Sequence, residues 1–105
     1  MGRVVIAVYQ PLPGKREQLK TLMKTHLTIL REQQLVTDRE SIIMESQDGT
    51  IVEVFEWRSA EAMTDAHTNP AVLAMWEEYG QVCQYIPISQ VPEATSLFSE
   101  FTPLN

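Results

Sequence analysis

Cysteine, histidine and positive charge are all scarce in this 105-residue chain, and each scarcity closes a class of function. A single cysteine, Cys83, excludes an internal disulfide and a cysteine-based metal cluster. The two histidines, His26 and His67, stand without a His-x-x-x-His or Glu-x-x-His spacing, so no metal centre is expected. Eight Lys and Arg against fourteen Asp and Glu leave a net charge of −6, which disfavours nucleic acid and anionic membrane as partners. No apolar run approaches the roughly 18 residues of a membrane-spanning helix. The N-terminus enters a short apolar stretch, Val4-Val5-Ile6, without the length or the small-residue cleavage site of a secretion signal. A cytoplasmic location is therefore the expectation. There is no Gly-rich phosphate loop, dinucleotide fingerprint, internal repeat or low-complexity segment.

What is present suits one globular domain over residues 1–105. The chain is 44% hydrophobic and 21% charged. A chain of this size buries roughly two-thirds of its unfolded surface, enough for one core. Its charge is polarised: residues 1–39 hold seven bases and three acids, residues 40–105 one base and eleven acids. Lys15, Arg16, Lys20, Lys24 and Arg31 fall within one predicted helix and read as its solvated face. Cys83 reads as a core thiol in a helical pattern with Val82 and Ile86.

Residues 3–9, Arg-Val-Val-Ile-Ala-Val-Tyr, predict a strand covered on both faces. Pro11-Leu12-Pro13-Gly14 breaks it. From Lys15 to about Leu35 the period turns helical, with Leu19, Leu22, Met23, His26, Leu27 and Leu30 on one stripe. Segments 39–46 and 50–57 flank Asp48-Gly49, a two-residue hairpin signal. That turn pairs Gln47 with Thr50, Met44 with Glu53 and Ile42 with Phe55. Ile42, Met44, Ile51, Glu53, Phe55 and Trp57 then share one face, and Ile43, Glu45, Val52, Val54 and Glu56 the other. Ser59 can cap a short helix to Ala66 or His67. Asn69-Pro70 opens another, whose stripe of Val72, Leu73, Met75, Trp76, Tyr79, Val82, Cys83 and Ile86 runs to Pro87. Residues 87–96 form a connection, and Leu97–Phe101 a last strand that Pro103 ends.

The order β-α-β-β-α-β predicts a ferredoxin-like α+β sandwich, its antiparallel sheet in the order 4-1-3-2. Two helices cover only one face of such a sheet. Apolar residues occupy both faces of the first strand, so the bare face is expected to meet the sheet of a second copy.

Several motifs also carry a family resemblance. A strand leads into Pro13-Gly14-Lys15 and a long helix. A later strand ends in Trp57-Arg58-Ser59, followed by Ala60-Glu61-Ala62, Ala66-His67 and Asn69-Pro70. In this order the chain resembles the antibiotic biosynthesis monooxygenase (ABM) domain family of the dimeric α+β barrel superfamily, across about residues 3–101. The resemblance implies a homodimer with apposed sheets and a pocket between sheet and helices in each subunit. It implies a choice of activities: oxidation of aromatic or quinol-type substrates by O₂ without a cofactor, haem degradation, or isomerisation. Two departures narrow the choice. The Asn–Trp–Arg set of the cofactor-free oxygenases is incomplete, because the only asparagines are Asn69 and Asn105 and Arg58 points away from Trp57. The axial histidine of the haem degraders is replaced by Met75-Trp76.

Several residues have the chemistry for a site. His26, on the apolar stripe, is either a general base facing the sheet or a core histidine bonded to a carbonyl. The resemblance favours a pocket role. His67 is either a second catalytic histidine or a brace for the helix break. Trp57 and Trp76 can stack on an aromatic ligand or fill the core, and Tyr9 and Tyr79 can direct hydroxyls into the same cavity. Glu53 can orient a histidine if its strand face meets the helices. The reading is a cofactor-independent monooxygenase for a small aromatic or apolar ligand, with a ligand-binding module or a cofactor-free isomerase as alternatives.

Overall fold

The computed structural model describes residues 1–105. β-Branched residues carry the chain into an extended first strand, β1 (Arg3–Pro11), which is central to a five-stranded antiparallel sheet. Helix α1 (Arg16–Glu32) follows the Pro-Gly turn, with Glu17 in its first turn and Arg31 in its last. Both charges complement the helix dipole. The helix stops at Glu32, short of Leu35. Gln34 takes a left-handed conformation at φ 60°, and the Leu35 amide donates back to the Leu30 carbonyl at 3.1 Å. This is the usual left-handed helix ending, made here without glycine. Strands β2 (Ile42–Glu45) and β3 (Ile51–Trp57) form the hairpin. Helices α2 (Ala60–Ala66) and α3 (Pro70–Gly80) come next, then β4 (Cys83–Tyr85), two short 3₁₀ turns and β5 (Thr102–Pro103).

Both helix starts match their sequence signals. Ser59 accepts a bond from the Ala62 amide at 3.0 Å. Asn69 Oδ1 accepts from Ala71 and Val72 at 2.9 and 3.2 Å, with Pro70 behind it.

The sheet order is β4-β1-β3-β2-β5. The order 4-1-3-2 is present, but a different segment fills the fourth place. Residues 83–85, read as helix, pair with β1 through Tyr9↔Tyr85 and Pro11↔Cys83. The helix ends at Gly80, a poor helix former, and the Leu12 amide bonds to the Val82 carbonyl at 2.8 Å. The unpaired edge of β1 outcompetes another helical turn. With that edge taken, Leu97–Phe101 forms no strand, and Leu97 and Phe98 are exposed. The last pairing is instead Thr102–Pro103 on β2. Proline is tolerated there because the strand is at the edge.

The hairpin register also differs. The loop is Gln47-Asp48-Gly49, three residues closed by Ser46 and Thr50. Gly49 sits at φ 92°, the left-handed residue that follows a type I turn in such loops. Ile42 therefore faces Val54, and Met44 faces Val52. A one-residue slip transfers every β2 side chain to the opposite face. Ile43 and Glu45 now join Ile51, Glu53, Phe55 and Trp57 under the helices, and Ile42 and Met44 join Val52 and Val54.

The helix-covered face holds the main core. Leu19, Met23 and Leu30 of α1 meet Val72, Met75 and Tyr79 of α3 and Ile51, Phe55 and Trp57 of β3. On the other face, the segment after β4 lays Val91 over Val8 and Val52. The rest of that face is open: Val4, Ile6 and Ile42 are 58%, 53% and 55% exposed. Within a single chain the first strand is thus covered on both faces only in part.

Two predictions follow from the hairpin. Gly49→Ala forces a β-carbon into the left-handed region and within 3.0 Å of Arg16 Nε, which pairs with Glu45 at 2.9 Å. The variant is expected to lose about 1–2 kcal/mol of stability in urea unfolding. Hydrogen bonds from the Ser46 hydroxyl and then the Thr50 amide hold the Asp48 carboxyl below the ordinary aspartate range. A depressed carboxyl contributes stability above its unfolded pKa and loses it as pH falls through the folded value. Urea midpoints measured from neutral into acid pH should therefore fall less steeply for Asp48→Asn than for the parent.

Candidate functional site

The centre of the sheet carries a carboxylate where an apolar side chain would ordinarily pack. Glu53 lies mid-β3, opposite Ala7 of β1 and Ile43 of β2, and is fully buried. A charge removed from water needs partners, and Glu53 has two. Tyr9 Oη donates to Oε1 at 2.7 Å. His26 Nδ1 lies 3.0 Å from Oε1 and 3.1 Å from Oε2. An ionised carboxylate only accepts, so Nδ1 carries the hydrogen. Burial first, and then the charge of Glu53, holds the Tyr9 phenol well above its ordinary pKa. Tyr9 therefore remains a donor.

Helix α1 places His26 by the three- and four-residue spacing that also buries Met23 and Leu30. Its ring lies 5.9 Å from Tyr9, 5.5 Å from Phe55 and 5.6 Å from Tyr79, all near edge-on. This collar fixes the imidazole in orientation as well as position. Nε2 makes no hydrogen bond within the chain. The His26 side chain borders the space beside it.

That space is a cavity of about 440 Å³. Val5, Ala7 and Tyr9 come from one face of β1, and Phe55 and Trp57 from β3. Met63 and His67 close it from α2, Trp76 from α3 and Tyr85 from β4. The volume suits a small-molecule site, and the walls are mainly apolar. His67 caps the C-terminus of α2. Its Nδ1 donates to the Met63 carbonyl at 2.9 Å, and its ring lies 5.2 Å from Trp76. The histidine braces the helix break and also lines the cavity.

Tyr9, His26, Trp57, His67 and Trp76 therefore meet around one cavity. Tyr79 does not line it. It stands behind His26 in the core, its hydroxyl 3.6 Å from Met23 Sδ, and burial followed by the charge of Glu53 raises its pKa. Cys83 is buried but lies in β4 rather than a helix, and burial pushes its thiol up to about 11. That leaves little thiolate near neutral pH. Tyr85 lies in a segment whose spacing predicts helix, whereas the structure ends α3 at Gly80 and makes it strand. The signal available was Gly80 followed by β-branched Val82. Val5 and Ala7 share the strand face of Tyr9 by two-residue spacing and so reach the same cavity.

No protein-family model matches the chain, and no curated protein does either. Among solved structures, that of Rv0793 from Mycobacterium tuberculosis is similar, with a TM-score of 0.65 and 25% sequence identity. The match covers 82% of this chain and 89% of that one. It shows a similar α+β fold.

Removing the central carboxylate strands two buried donors. Glu53→Ala is expected to cost about 3 kcal/mol in urea unfolding. Glu53→Gln, which retains an acceptor for Tyr9, should cost distinctly less.

Proposed function

We propose that this chain is a cofactor-independent monooxygenase for a small phenolic or quinol-type aromatic, with His26 as the base. One observation carries the reading: an imidazole held by a buried carboxylate at the wall of an aromatic cavity. The motif resemblance to the ABM family supports the same chemistry. Nε2 takes a proton from an acidic O–H or an activated CH₂ of the substrate, and Glu53 stabilises the imidazolium so formed. Trp57 and Trp76 offer planar surfaces to the substrate, and His67 Nε2 accepts a hydrogen bond from a substrate hydroxyl.

The resulting anion is electron-rich. It passes one electron to O₂, and the two radicals combine as a carbon-bound peroxide. His26 returns its proton to the peroxide, and loss of water leaves a carbonyl. Overall the substrate gives up two hydrogens, both from a CH₂ or one each from a phenolic O–H and a ring C–H; the oxidised carbon becomes C=O with one oxygen atom of O₂, and the other oxygen leaves as water with both hydrogens. O₂ is the oxidant and no further reductant is required.

The mainly apolar walls also suit a ligand-binding module of the same fold, and the same base serves an isomerase. The deciding experiment incubates the protein with a panel of anthrones and hydroquinones, with and without O₂. O₂ consumption coupled to product formation is expected, and His26→Ala should lower kcat/KM by about a hundred-fold or more. Unchanged turnover in that variant would remove His26 from the reaction. Turnover without O₂ assigns an isomerase. Saturable quenching of tryptophan fluorescence without turnover assigns a binding module.

The open sheet face supports a second part of the reading, a homodimer joined through the sheets. Val4, Ile6 and Ile42 stand exposed beside the buried Val8–Val52–Val91 cluster. Single exposed apolar residues are ordinary, but a contiguous group on one sheet face marks an interface. Native mass spectrometry should find twice the chain mass, and Ile6→Lys should shift it to the monomer.

A further inference from the structure

Away from the cavity, the fold assembles basic side chains that the sequence spaces along a helix. Lys20, Lys24 and Arg31 of α1 line a separate cleft of about 420 Å³ beside β2 and β5. Its apolar walls include Met23, Leu27 and Ile43. The cleft shares no lining residue with the cavity at His26. Lys24 is exposed, as expected of a solvated helix face, whereas Lys20 and Arg31 are half-buried.

Lys20 is already neutralised, 3.6 Å from Glu17 and 3.3 Å from Glu45. Lys24 and Arg31 take part in no ion pair, and Glu40, which also lines the cleft, pairs with neither. The only hydrogen bond of the Arg31 side chain is a long one, 3.5 Å from Nη2 to the Thr37 carbonyl. Its Nε is the one buried side-chain polar atom in the chain without a partner. The sealed Nε is out of a ligand's reach, but the rest of this half-buried guanidinium makes one long hydrogen bond and can take a further acceptor from the cleft.

We infer that this cleft binds a small anionic amphiphile, with a carboxylate or phosphate head on Lys24 and Arg31 and a short apolar body against Met23, Leu27 and Ile43. Either head group presents the oxygen acceptors that these cations take, and the apolar walls distinguish such a ligand from a free inorganic anion.

The test is an amide NMR titration of the full chain with hexyl phosphate, hexanoate, hexanol and inorganic phosphate. Hexyl phosphate or hexanoate is expected to saturate at millimolar concentration and to shift amides around Lys24, Arg31 and Ile43. Whichever binds more tightly identifies the head group. Hexanol and inorganic phosphate should each bind about ten-fold more weakly or not at all. Lys24→Glu, at an exposed position, should weaken binding about ten-fold while the rest of the spectrum stays in place. Arg31→Met provides a second variant that keeps the apolar stem. The inference fails if no shift saturates, if hexanol or phosphate alone matches the amphiphile, or if Lys24→Glu binds unchanged. It also fails if the shifts centre on Trp57 and Trp76.

Discussion

A carboxylate sealed in the middle of an apolar sheet is the constraint around which the helix-covered half of this protein is organised. Glu53 cannot be hydrated where it lies, so its oxygens need donors from neighbouring elements. Tyr9 reaches it from the adjacent strand, and His26 from the helix above. The contact ties β1, β3 and α1 together at one point. It also dictates tautomer: with Nδ1 committed to the carboxylate, the imidazole has only Nε2 to offer the cavity. Buried ion pairs are seldom the most stable way to fill a core, because an apolar replacement often packs as well without the desolvation cost. Removing one partner of such a pair is costly all the same, because the other is left buried without a partner.

The two faces of the sheet are covered by different means. Three helices close one face and leave a cavity where α2, α3 and β4 do not meet over the sheet. The other face receives only the segment after β4, which covers Val8 and Val52 and leaves Val4, Ile6 and Ile42 in water. Depth explains the difference. A helix covers a sheet with a continuous stripe of side chains, whereas a short irregular segment covers only the residues directly beneath it. Helix α1 has two distinct roles in this arrangement. One side aims His26 at the sheet, and another turns Lys24 and Arg31 toward the edge strands.

Much of this was legible in residue order because it rests on local chemistry. Ser59 and Asn69-Pro70 state where helices begin, and both caps form through bonds to amides only two or three residues away. The Leu–Met–His–Leu stripe of α1 and the alternation of β3 are periodicities of single elements. Even the possibility that Glu53 orients a histidine followed from strand alternation once its face was known. Where the reading failed, two distant segments were competing for one place. Residues 83–85 continue a helical pattern by their own spacing but are claimed by the edge of β1, some seventy residues earlier. Leu97–Phe101 has strand composition, but the place beside β1 is taken by β4 and the chain joins β2 only at Thr102–Pro103. The hairpin register rested on one loop residue: counting Gln47 as loop rather than strand moves every β2 side chain through the sheet.

Residue order alone was enough for β1, the β2–β3 hairpin, the three helices with the two caps, and the identity of the chemically able residues. Each of these depends on neighbours within a turn or a strand. Only the tertiary structure decided which sheet face meets the helices, that Tyr79 stays in the core while Tyr85 reaches the cavity, and that three basic residues share a cleft. Those outcomes depend on register and on which segment takes each open edge. Both are set by hydrogen bonds and burial between residues far apart in the chain, which no local pattern encodes.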